Sequence, residues 1–159
     1  MRSTVYVVEL SSSQHIDDLL PMALAMRNEN FPNLPHEDAV VAEFAHASVH
    51  SDNMAVFLAY TQDHEPCGFI VCILGSYMFN RDKFAMQQYW YVDPKKRRTG
   101  AAKRLMKAYD DWVAGQKEYK VLEQRGGVIR TQADEVERIS KLFDKLGYDE
   151  VGRNFTKRG

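Results

Sequence analysis

The chain opens on a run of β-branched and aromatic residues at positions 4–10, Thr-Val-Tyr-Val-Val-Glu-Leu, which predicts a strand. Ser11, Ser12 and Ser13 then offer caps for a helix over about 14–26, with Ile16, Leu19, Leu20 and Leu24 as its apolar stripe and Pro21 weakening its interior. Two prolines and three asparagines within 28–35 favour a loop, and a second helix is expected over 36–50. Positions 54–61 and 68–77 read as strands joined by the turn 62–66, which makes an antiparallel hairpin. A further strand is expected over 84–92.

From Thr99 the period changes, and Leu105, Tyr109, Trp112 and Val113 fall near one helical face. Gln116, Tyr119 and Leu122 either extend that helix or form a short second one after Gly115. Gly126-Gly127 resets the chain before a short strand at 128–131, and Val136, Ile139, Leu142, Phe143 and Leu146 then mark a helix over 134–146 that Gly147 ends. The tail 148–157 has room for one or two short strands. The expected class is α+β: a central, mostly antiparallel mixed sheet flanked by helices, with a locally parallel pair at the crossover that follows residue 92.

Composition narrows the picture. At 159 residues, 45% of them hydrophobic, one compact domain spanning 1–159 is expected. Lys and Arg number 21 against 22 Asp and Glu, so any anion site must be local, because no bulk field exists to attract nucleic acid or an anionic membrane. Cys67 and Cys72 lack the companions of a metal site, and no apolar stretch reads as a leader or a membrane span. A soluble protein of a reducing, cytoplasmic compartment is expected.

The candidate chemistry lies at Val92-Asp93-Pro94-Lys95-Lys96-Arg97-Arg98-Thr99-Gly100-Ala101-Ala102, a basic turn of small residues between a strand and an amphipathic helix. Such a turn presents backbone N–H groups to phosphate oxygens at the positive end of the helix. The segment 97–102 is a relaxed form of an Arg/Gln-x-x-Gly-x-Gly/Ala turn, and 139–148, Ile-Ser-Lys-Leu-Phe-Asp-Lys-Leu-Gly-Tyr, is a second and independent point of likeness. In both, and in its element order, the chain resembles the GCN5-related N-acetyltransferase (GNAT) superfamily.

That resemblance implies an acetyl-CoA site. The pyrophosphate would lie on backbone N–H groups of Arg98, Thr99, Gly100, Ala101 and Ala102, and pantetheine beside Trp90, Tyr91 and Val92, where the central strands of the family splay apart. Lys95, Lys96, Arg97 and Arg98 would add charge-assisted contacts, or form a solvated basic face. The implied reaction is direct attack of a primary amine, on a small molecule or a protein, upon the thioester, with a backbone N–H near 90–92 stabilising the developing charge.

The family's usual side-chain catalysts are absent from the sequence. Phe143 occupies the position of the general-acid tyrosine, Val136 stands nearest the frequent asparagine, and 84–92 holds no carboxylate. Glu29, His36, Glu37, Tyr89, Tyr91 and Tyr148 are replacements of no distinctive pattern, so no catalytic side chain is assigned. The same departures suit an alternative, a CoA-binding or protein-interaction module on this scaffold with weak or lost transfer. His46, His50 and Asp52 lack a third convincing metal ligand, so no metal is expected. Tyr89-Trp90-Tyr91 alternates faces of a strand, which argues against a nucleic-acid platform. An open sheet edge would allow a homodimer.

Overall fold

The computed structural model of the protein describes residues 4–127, 133–152 and 157. The chain divides after Gly127 into two compact units. The first holds β1 (Val5–Glu9), α1 (Ser13–Asn30), α2 (Asp38–Val49), β2 (Met54–Thr61), β3 (Pro66–Ser76), β4 (Lys83–Val92), α3 (Ala101–Ala114) and β5 (Val121–Arg125). The second contains α4 (Ala133–Lys145), which ends at Gly147 in the left-handed region with φ of 88°.

The strands lie in the order β1-β2-β3-β4-β5, antiparallel throughout except for the β4–β5 pair, which α3 connects as a parallel crossover. This is the expected α+β class with a mixed, mostly antiparallel sheet. Side-chain alternation gives the sheet two apolar faces. Leu19 and Met22 of α1 and Ala45 of α2 pack on Val56, Leu58, Tyr60, Phe69, Val71 and Tyr91. Leu105, Met106 and Tyr109 of α3 are buried on the opposite face, where Leu105 lies against Gly68. The large side chains of both faces supply most of the apolar area removed from water, at roughly 25 cal/mol per Å².

Several elements depart from the pattern of the sequence. Helix α1 runs through Pro21 and continues to Asn30, past the expected end at 26. Its last turn is held from outside: Phe31 N donates to Arg27 O at 2.7 Å, and Arg27 Nε donates to Leu34 O at 2.6 Å. Residues 116–122 form no helix. Gly115 closes α3, Lys83 N bonds Lys120 O at 2.9 Å, and Val121 pairs with Lys83 to start β5. The strand expected at 128–131 lies outside the described residues, and of the expected tail strands the described part, 148–152, has no regular structure. No helix among the described residues is long and apolar enough to cross a membrane.

Candidate functional site

The two edges of β4 differ. Its β3 edge is paired from Ser76↔Lys83 to Gly68↔Val92, whereas its β5 edge is paired only from Lys83↔Val121 to Met86↔Arg125. A bulge where Val71↔Tyr89 gives way to Cys72↔Gln87 leaves Gln88 as the extra residue, at the point where β5 ends. Two side chains hold the departing chain: buried Tyr109 donates to Arg125 O at 2.7 Å, and buried Gln87 accepts from Gly127 N at 3.1 Å. Among the described residues, the parallel β4–β5 pairing stops at Met86↔Arg125.

The alternation of antiparallel bonds assigns the backbone groups of this stretch. Asp93 N bonds Cys67 O at 2.8 Å, so the hydrogen-bonded positions are 93 and 91, and the backbone of Trp90 and Val92 turns the other way, toward the β5 edge. Consistently, Val92 O accepts from Arg97 Nε at 2.9 Å rather than from β3.

The chain then turns. Asp93 caps a short 3₁₀ segment, Pro94–Lys96, by accepting from Lys95 N at 2.9 Å, and Thr99 Oγ1 donates to Lys96 O at 2.6 Å. Gly100 occupies the N-cap of α3 with φ of 88° and supplies no side-chain acceptor. Positive φ is what glycine tolerates at no steric cost, and a Cβ at this position would meet nothing within 4 Å, so the space before the helix is open. An α-helix leaves its first N–H groups without intrahelical acceptors, and here Gly100 gives them no side-chain cap. The result is a concentration of donors and positive helix-end potential next to the end of β4, suited to an anionic ligand.

The residues read from sequence as the site are brought together as one run: Trp90, Tyr91 and Val92 at the end of β4, Arg97, Arg98 and Thr99 in the turn, and Gly100, Ala101 and Ala102 at the start of α3. Their side chains play unequal parts. Tyr91 is buried and stacks on Phe69, with ring centroids 5.8 Å apart and an interplanar angle of 17°, so its ring belongs to the core. Lys96 Nζ lies 3.5 Å from Glu65, while Lys95 and Arg98 are exposed. Arg97 points away from the helix start: its Nη2 donates to both carboxylate oxygens of Glu29, at 2.6 and 2.8 Å.

The remaining candidates are also placed. Glu29 is engaged by Arg97, and His36 Nε2 lies 2.9 Å from Asp38 Oδ1. Phe143, in the second unit, packs edge-on against Tyr148 at 5.2 Å. Cys67 is buried where β3 meets the turn, and burial pushes its thiol up to about 11 despite nearby Lys96, so it is a poor nucleophile. Gln87 and Tyr109 were not apparent as site residues. The pair Gln87-Gln88 inside a mostly apolar and aromatic strand is the available signal, since a buried amide has to find a partner.

The chain matches the acetyltransferase (GNAT) domain over residues 52–150. Among solved structures it is similar to the aminoglycoside acetyltransferase AAC(6')-Iy in complex with a CoA-containing bisubstrate analogue, at 19% identity and a TM-score of 0.74, covering 99% of each chain. It is also similar to AAC(6')-Ih from Acinetobacter baumannii, at 18% identity, a TM-score of 0.70 and 98% coverage of each chain. A third likeness is to a ribosomal-protein-alanine N-acetyltransferase from Brucella melitensis, at 14% identity and a TM-score of 0.67, covering 98% of this chain and 99% of the other. No curated protein sequence matches the chain. With the domain match spanning more than half of its length, the chain belongs to the GNAT acetyltransferase family.

Proposed function

We propose that this chain works as a single acetyl-CoA-binding domain over 1–159 and transfers an acetyl group from acetyl-CoA to a primary amine. The observation that carries the reading is the α3 start: an N-terminus without a side-chain cap hydrogen bond, opened by Gly100 into free space, directly after the end of β4. These features fit the cosubstrate chemically. Backbone N–H groups at the start of α3 suit the pyrophosphate, and exposed Arg98 and Lys95 add charge near it. The Val92 N–H, turned away from β3, offers a backbone donor to an amide of an extended pantetheine.

Bound acetyl-CoA supplies the activated acetyl group; the protein supplies position and polarity. The Val92 N–H faces the β5 edge, where a fixed backbone dipole stabilises negative charge as it develops on the acyl oxygen. The incoming amine must be neutral, and with phenylalanine at 143 its proton passes to water and sulfur leaves as thiolate, a group of moderate basicity. Orientation of the two reactants is then the main contribution of the chain.

The test is calorimetric titration with acetyl-CoA and CoA, followed by thiol detection against a panel of amines that includes an aminoglycoside, a polyamine and a peptide with N-terminal alanine. Both protein thiols are buried, so fast thiol signal reports released CoA. Binding with amine-dependent release is the expected result. Binding without release across the panel would favour the noncatalytic module, the reading that Phe143 supports, and no binding to either nucleotide would overturn the donor site.

A further inference from the structure

Arg97 has the sequence position of a phosphate contact and the geometry of something else. Its Nε donates to Val92 O at 2.9 Å and its Nη2 to both oxygens of Glu29, with only 22% of the Arg97 side chain and 27% of the Glu29 side chain exposed. Glu29 stands in the last turn of α1, and from the same turn Arg27 Nε holds Leu34 O, in the loop that follows. One helical turn thus grips both that loop and the turn at 93–100.

We propose that Glu29 and Arg97 are a positioning pair for the donor site, fixing the Val92 backbone and the turn at 93–100, so that Arg97 acts through the backbone and not as a ligand of the phosphates. The inference rests on the acetyl-CoA reading above. A guanidinium is planar and its donors diverge in a fixed fork, so satisfying Val92 O and Glu29 together locks the direction of the Val92 carbonyl. That locks ψ of Val92, the residue whose N–H turns away from β3. The same bonds tie down the approach to Gly100, and donors already held in place lose less freedom when a ligand arrives. A half-buried carboxylate on one guanidinium nitrogen also keeps that charge off the anion site.

The experiment is titration of CoA by calorimetry into wild type, Glu29→Gln, Arg97→Gln and the double variant, with amide nuclear magnetic resonance spectra of each ligand-free protein. Each single change is expected to weaken binding by about tenfold, roughly the 1.4 kcal/mol of a coupled pair, and the double variant no further. Both singles should shift the Val92 and Asp93 amide signals alike and leave those of α2 unmoved, which a general loss of stability would not do. Weakening by Arg97→Gln alone would make Arg97 a phosphate ligand and overturn the proposal, as would losses that multiply, or Glu29→Gln binding equal to or tighter than wild type. Wild-type protein that ignores CoA would bring down the functional reading and this inference with it; wild-type binding with an unaffected Glu29→Gln variant would bring down the inference alone.

Discussion

Helices α1 and α3 begin in opposite ways. At the start of α1, Ser12 has extended backbone and its hydroxyl accepts from His15 N at 3.3 Å, while His15 Nδ1 accepts from Ser11 N at 3.0 Å. One donor of that first turn is thus capped by a side chain. At the start of α3 the cap is Gly100 in the left-handed region, with no side-chain acceptor and open space where a Cβ would stand. A glycine cap costs only about a few tenths of a kcal/mol relative to serine, so the second arrangement gives up little stability. In the proposed reading it leaves the donors of α3 to an external anion.

The sharpest way to break this contrast is to close α3 from within. Asp tolerates the left-handed region better than most residues, so Gly100→Asp should fold while placing a carboxylate where the proposed site takes the phosphates. With about two charge-assisted bonds lost at roughly 1.5 kcal/mol each, CoA affinity should fall about a hundredfold, as read by calorimetry. Retention of wild-type affinity by a folded Gly100→Asp protein would remove the α3 start from the site.

Gly68 gives the next effect and sharpens the contrast within α3. A Cβ there would lie 2.6 Å from Tyr91 O and 3.2 Å from Leu105 Cδ1, so one turn beyond its open start the helix is packed without slack. Gly68→Ala should lower unfolding free energy by about 2 kcal/mol in urea titration, the scale of core overpacking. An unchanged midpoint would mean that α3 is loosely seated and that the openness at Gly100 is not particular to the site.

Much of this was legible from residue pattern. The run 54–61 matches β2, the hairpin and the basic turn stand where expected, and the Gly100 position emerged from a strand, small residues and a helix in sequence. What failed had physical reasons. Strand β5, Val-Leu-Glu-Gln-Arg, is too polar and short to show a strand period, and Gln116, Tyr119 and Leu122 share a spacing of three that reads as helix. In the structure Tyr119 instead lies under Lys83 Nζ, 4.7 Å from the ring centroid. The Arg97–Glu29 contact was not legible, because Glu29 is 68 residues upstream and no local pattern reports such a pair. Local conformation is written in neighbouring residues, and a long-range side-chain partner is not.

The smallest effect expected is on the closed side of the comparison. Ser12→Ala removes the hydroxyl that accepts from His15 N and should cost about 1 kcal/mol of stability in denaturant titration. CoA affinity should stay within about twofold of wild type, because the α1 start serves the fold and not the ligand. The two helix starts then separate by readout: a change at Ser12 moves the unfolding midpoint and spares binding, whereas a change at Gly100 moves binding. If Ser12→Ala weakened CoA binding as much as it weakened the fold, the donors of α3 would be held in place through α1 as a whole, and the effect of its last turn, through Glu29 and Arg97, could no longer be separated from the stability of the helix that carries it.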